Sequence, residues 1–166
     1  MDEGLLDLAA EYAVDLMVTE IVNAPAEVQT MLGGITHPRI WEGGPPEKKP
    51  EGAPWDLFYT CILVTVITPV TDIFALTNNH PGDHVIGTIR VEIKVVGAGT
   101  GFKRLKPVKR WIYATFEGAD GADVEGGSIG SCTLFKEWPR EKEPTDGGTT
   151  YYHSGYWFDF IVQRGE

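Results

Sequence analysis

The sequence predicts an α+β fold, an antiparallel β-sheet of about four main strands with helices packed on one face, forming a single domain over residues 1–166. Three observations predict it. Residues 85–96 alternate, with Val85, Gly87, Ile89, Val91, Ile93 and Val95 on one side of an extended chain and Ile86, Thr88, Arg90, Glu92, Lys94 and Val96 on the other. A period of two with one polar side belongs to a half-covered antiparallel strand. Residues 57–67 are dense in β-branched and aromatic side chains and apolar on both sides, as a central strand requires. Residues 3–22 and 106–116 change to a helical period, so helices, hairpin, helix and hairpin follow in order.

In the first helix, Leu5, Leu8, Tyr12, Leu16 and Thr19 share a stripe that Ala9, Ala13 and Val22 widen, and Asp2 and Glu3 suit its amino end. Pro25 opens a short second helix through Met31 and Leu32, which Gly33 and Gly34 end. Residues 36–41 read as a short strand or edge. Extended loops are expected at 42–54, rich in Pro and Gly, at 68–84 and at 118–130. The strand at 57–67 places Leu57, Tyr59, Cys61, Leu63 and Ile67 opposite Phe58, Ile62, Val64 and Val66, and forms a wide hairpin with 85–96. A helix from about Lys106, with Pro107 in its first turn, presents Leu105, Val108, Ile112 and Phe116 on one face. The last strands are 131–138 and 151–163, joined across 139–148. In the final strand Tyr152, Tyr156, Phe158, Phe160 and Val162 oppose Tyr151, His153, Trp157, Asp159 and Ile161.

The 166 residues suit one domain, while 20 glycines and 11 prolines imply several irregular connections. Twenty-four acidic against 14 basic residues give a net charge of −10. That balance argues against a protein that grips DNA grooves, though not against one that surrounds DNA without holding it. Cys61, in an apolar strand pattern, reads as a buried thiol and not as half of a disulfide. Met1-Asp2-Glu3-Gly4 lacks the basic opening of a secretion signal, and no apolar run reaches twenty residues. A soluble protein of a reducing compartment, away from membranes, is the expectation.

No pattern supports catalysis, a cofactor or a metal, so a non-enzymatic protein is expected. Gly97, Gly99 and Gly101 follow a strand and precede a helix, as in a dinucleotide fingerprint, but Phe102 stands where its third glycine belongs. The strand before them alternates, and no apolar strand after the helix presents a ribose-binding acid. His80, Asp83 and His84 lie in a turn-rich segment without a helical ligand spacing, which reads as an exposed polar loop. Ser128, Ser131 and Cys132 lack the surroundings of an activated nucleophile. Lys103, Arg104, Lys106, Lys109 and Arg110 crowd one side of the third helix. In a chain of this charge they suit protein contact or a solvated face better than phosphates, and Glu137, Glu141, Glu143 and Asp146 are possible partners. Trp138, Tyr151, Tyr152, Tyr156, Trp157 and Phe158 exceed what one face of a small sheet normally buries, which suggests helices on one side and another subunit on the other, with ordinary core packing as the alternative.

In layout the chain resembles the tail terminator proteins of long-tailed bacteriophages, also called tail completion or minor tail proteins. The order is a helix pair, a segment from His37 to Trp41, a Pro-rich stretch ending at Pro54, strands at 57–67 and 85–96, a helix at 106–116 and a last hairpin. Asp146-Gly147 and His153 match the Asp-Gly turn and following His or Tyr of that family's hairpin. The resemblance implies a structural virion protein, assembled in the host cytoplasm and resident in the tail. As a homohexameric ring it would end growth of the tail tube and join tail to head. Its implied partners are copies of itself, the tail tube protein, a head completion or connector protein, and genomic DNA passing through the lumen without specific recognition. Arg104, Trp111, Tyr156 and Trp157 are the expected subunit or tube contacts, with loops 42–54 and 68–84 reaching axial neighbours. The loops at 42–54 and 118–130 are longer than in a minimal member, which leaves another head–tail connector or neck component open. Two readings of other classes are a small-ligand or dinucleotide binder using residues 97–101 and a monomeric adaptor using the aromatic sheet.

Overall fold

The computed structural model of the chain describes residues 3–46, 55–69, 74–76 and 84–164. Helix α1 (Glu3–Glu20) runs into a 3-10 turn (Ile21–Asn23) and α2 (Ala26–Met31) follows. Strand β1 (Ile40–Glu42), a second 3-10 turn (Trp55–Phe58), β2 (Cys61–Pro69), β3 (Phe74–Leu76) and β4 (His84–Ala98) come next. Helix α3 (Phe102–Phe116), β5 (Ala122–Val124), β6 (Gly127–Pro144) and β7 (Thr150–Arg164) complete the order.

These strands form one seven-stranded sheet in the order β1-β2-β4-β7-β6-β5, with β3 paired to the start of β4. This corrects the expected fold class. The molecule is mainly a curled half-barrel sheet with three small helices, and not a sheet of about four strands with a helical layer on one face. Five adjacent strands span about 19 Å at the usual spacing. Helix α1 nevertheless touches β1, β2, β4, β6 and β7, as a sheet curling around it permits. The short strand expected within 36–41 is β1, at Ile40–Glu42, and the strands missed from sequence are β3 and β5, each only three residues long. Such short strands carry too few residues to display a period, and β1 is parallel to β2 while every other pair is antiparallel.

Alternation along β4 builds the core. Ile89, Val91, Ile93 and Val95 are fully buried, level with Phe160, Phe158 and Tyr156 of β7 and with Val66, Val64 and Ile62 of β2. Helix α3 closes over them with Leu105, Val108, Ile112 and Phe116, all fully buried, and Phe116 meets the rings of Phe158 and Phe160. Each such side chain contributes about 1.5–3 kcal/mol through burial. On α1 the buried stripe departs from the expected one in its second half. Leu8, Ala9, Tyr12 and Ala13 are buried as expected, but Thr19 and Val22 are exposed, and Met17 with Ile21 of the following 3-10 turn continues the fully buried line from Ala9 and Ala13. The alanines let the α1 backbone approach the sheet, and that approach selects which side faces in.

Other boundaries also move. The third helix starts at Phe102, four residues before the expected Lys106, so Pro107 lies beyond its first turn. The strand expected at 57–67 starts only at Cys61, because residues 55–58 form the 3-10 turn. The expected loop at 118–130 holds the β5/β6 hairpin. Strand β6 continues through Pro139 to Pro144, so the connection expected at 139–148 shrinks to a short turn. A register shift between Trp138 and Glu141 absorbs the proline that a regular ladder excludes. Of the loop expected at 42–54, residues 47–54 lie outside the described residues. Of that at 68–84, Thr68 and Pro69 belong to β2, 74–76 to β3 and His84 to β4; the rest, with His80 and Asp83, lies outside the described residues.

Candidate functional site

The second face of the sheet carries the polar members of the alternation. The buried side chains of α1, α2 and α3 belong to the core cluster inside the curl, while the smaller cluster of Cys61, Leu63 and Val96 on the other side takes Trp41, which Phe58 of the second 3-10 turn meets edge-on. The β4/β7 register sets Arg90 opposite Asp159, Glu92 opposite Trp157 and Val96 opposite His153. Cross-strand neighbours at this separation interact directly. Arg90 donates from Nε and Nη2 to the two Asp159 oxygens at 2.9 and 3.1 Å, a two-pronged ion pair. Trp157 Nε1 donates to Glu92 Oε2 at 3.0 Å, and Lys94 Nζ stands 3.5 Å from Glu92 Oε1. Glu92 is 8% exposed, so both carboxylate oxygens are engaged where water is scarce.

Strand β6 adds aromatic cover. The register shift between Leu134 and Lys136 brings Phe135 flat against Trp157, at 6.3 Å and 11°, with the Arg90 guanidinium over its ring. Lys94 lies over Trp138, which leans on His153, whose Nε2 meets Glu143 Oε2 at 2.8 Å. The belt ends on a small apolar floor of Cys61, Leu63 and Val96 beside Tyr59 and Tyr151. There Tyr59, Glu143, Tyr151 and His153 border a cavity of about 470 Å³. Burial pushes the Tyr59 hydroxyl up to about 12, so it is an un-ionised phenol at neutral pH. The ion pairs on this face are satisfied within the chain. The large apolar side chains it leaves to solvent are Phe135 at 47% and Ile161 at 43% exposure, beside exposed Thr133, Lys136 and Glu143. The arrangement supplies a stiff, preformed docking surface.

The four residues expected as contacts fall on different surfaces. Trp157 lies at the centre of the second face. Tyr156, its chain neighbour, necessarily points to the opposite face, where its ring meets Tyr113 and Phe158. Trp111 is 8% exposed and, with Tyr12, borders a groove of about 390 Å³ between α1 and α3. Arg104 is exposed at the mouth of a separate cleft of about 250 Å³ between α2, the start of β2 and α3. Of the cations of α3, Lys109 turns inward and pairs with Glu137 of the same chain, and that hydrogen bond holds the Glu137 carboxyl below the usual range. Lys103, Arg104, Lys106 and Arg110 are exposed without an ion pair among the described residues. Arg39, on the wall of the small cleft, donates from Nε to Thr60 O and from Nη2 to Met31 O, each at 2.8 Å. Desolvation lowers its pKa, and no carboxylate faces it among the described residues.

Sequence reading did not join Arg90, Glu92, Lys94, Phe135 and Asp159 into one surface. The signal was the shared polar period of β4 and β7. The missing quantity was their register, which fixes which polar residue meets which.

Gly97 lies within β4, and Gly99 and Gly101 connect β4 to α3. Among the described residues no group of three His, Cys, Asp or Glu side chains is placed to hold a metal, and no helix is long and apolar enough to cross a membrane. Cys61 and Cys132 are free and buried; burial pushes the Cys61 thiol up to about 12 and that of Cys132 higher still.

No protein-family model and no curated protein matches the chain. Among solved structures, it is similar to a chain of one described as "Virion of native gene transfer agent (GTA) particle", with a TM-score of 0.47 and 14% sequence identity. The similarity covers 88% of this chain and 91% of that one.

Proposed function

We propose that the chain is a non-catalytic structural subunit of a virion that closes with copies of itself into a ring through the second face of its sheet. In this reading the ring caps the head-proximal end of a tail tube, ends the tube's growth and receives a head completion or connector protein. The observation that carries self-assembly is the belt around Trp157. Arg90, Glu92 and Asp159 are satisfied internally, while Phe135 and Ile161 stay open beside the exposed Lys136. Exposed apolar groups set among fixed polar partners fit a protein interface better than a solvated surface.

Contact by the face is favoured over contact by the edge. The terminal strands β1 and β5 have three residues each, and β6 carries three register shifts and a run of alternating charge at residues 136–143. These features oppose strand-to-strand addition. The tube-terminating role rests on the likeness in element order to tail terminators. A net charge of −10 suits a ring whose lumen lets DNA slide through.

The test replaces Phe135 and Ile161 together by Glu. Wild-type protein mixed with polymerising tube subunits should cap one end of each tube and limit its length, seen by electron microscopy. The variant should keep its circular dichroism and lose both ring and cap. Rings of unchanged mass from the variant, or wild-type protein that neither forms rings nor limits tubes, would refute the proposal.

A further inference from the structure

We infer that the small cleft between α2, the start of β2 and α3 is a carboxylate receptor that takes the acidic turn of the β6–β7 hairpin of a second copy. This rests on the self-assembly reading above and names a contact within it. The receptor is cationic and preformed. The two backbone carbonyls that Arg39 holds fix its guanidinium in the wall, and Arg104 stands at the mouth. Tyr59 and Thr60 help line a space of about 250 Å³, which admits a carboxylate together with the side chain that carries it. Neither arginine meets an acid among the described residues. A half-buried guanidinium without a counter-charge favours an incoming anion, which gains charge-assisted hydrogen bonds there.

The occupant is argued from charge and position. The chain carries ten more acidic than basic residues, so a second copy brings many carboxylates. Among them Asp146 stands at the turn between the 18 residues of β6 and the 15 of β7, exposed and without an ion pair among the described residues. Thr145 clamps the turn, donating from N and Oγ1 to Thr149 O at 3.2 and 2.7 Å. The carboxylate is thus offered on a stiff support, which reduces the entropy lost on docking.

Turn and cleft lie at the same end of the molecule. Gly99 N donates to Thr150 O at 2.8 Å, which places the base of the turn beside the residues leading into α3. Within one chain the turn borders the 470 Å³ cavity and not this cleft. Tyr59 borders both spaces, so donor and receptor are separate but neighbouring patches at one end, and the turn of one copy entering the cleft of the next makes a head-to-tail contact.

The test uses full-length chains and two charge reversals, Arg104→Glu and Asp146→Lys, with self-association measured by sedimentation at low and high salt. Each single reversal should weaken association at least about tenfold. Mixing the two variants should restore it, because the carboxylate introduced into the cleft of one then meets the ammonium introduced at the turn of the other, and the second contact is wild type. Restoration in the mixture together with unchanged circular dichroism of each variant establishes the pairing. Full-strength rings from either single variant, or a mixture as weak as its components, overturn it while leaving the sheet-face reading intact. A wild-type chain that stays monomeric with and without tubes overturns both. Inorganic phosphate that binds through Arg104 without competing with association would assign the cleft to a free anion and also overturn the inference.

Discussion

The hydrogen bond from Trp157 to Glu92 joins the two central strands on the second face, and a double-mutant cycle isolates it. The perturbations are Glu92→Gln, Trp157→Phe and the pair together. Glu92 is 8% exposed and accepts the indole N–H at 3.0 Å, with Lys94 3.5 Å from its other oxygen. A hydrogen bond to a charged group contributes about 1.5–3 kcal/mol and one between neutral groups about 0.5–1.5. Glutamine keeps an acceptor but removes the charge, and it leaves Lys94 without its counter-ion. The single change should therefore cost about 1–2 kcal/mol. Phenylalanine removes the N–H and part of the stack on Phe135, which adds about 0.5–1.5 kcal/mol of aromatic contact to the lost bond. About 2–3 kcal/mol is expected for Trp157→Phe. Because Glu92→Gln weakens the bond that Trp157→Phe removes, the double variant should fall short of the sum by about 1 kcal/mol. Urea unfolding followed by circular dichroism, at pH 7 and with equal slopes for all four proteins, reads these differences. A coupling below about 0.3 kcal/mol would show that the bond does not tie the strands, and the picture of a stiff, internally satisfied face would fail.

Two further expectations concern the body of the sheet. Gly155→Ala should lower stability by about 2–4 kcal/mol and the thermal midpoint by roughly 5–10 °C, because an added Cβ overlaps the Ile93 carbonyl oxygen and Lys94 Cα across the β4/β7 ladder; a midpoint within a degree of wild type would contradict that close approach. Cys61 and Cys132 are both buried with raised thiol pKa values, so neither should react with a thiol reagent at pH 8 in the native state and both should react after unfolding. A native-state reaction at the rate of a free thiol would mean that the sheet opens near one of them.

The sequence by itself determined whatever depends on local period. The alternation at 85–96 appears as β4, with Ile89, Val91, Ile93 and Val95 fully buried, and the helical spacing of Leu105, Val108, Ile112 and Phe116 appears as the buried face of α3. Those features follow from the geometry of neighbouring residues, about 100° or 180° apart, and need no partner to be read. The tertiary structure alone decided the sheet's seven strands, its curl, and the reach of β6 through Pro139. Three-residue strands exist only because a partner supplies their hydrogen bonds, and a proline inside a strand is tolerated only where the opposite ladder slips. The candidate surface divides in the same way. That Arg90, Glu92 and Lys94 share a side, and Trp157 and Asp159 another, was written in the alternation. That Arg90 meets Asp159 and Glu92 meets Trp157 required the register of two strands more than sixty residues apart in the chain. A shift of one residue there would send every one of those side chains into the core, so long-range packing on the first face chose the chemistry of the second.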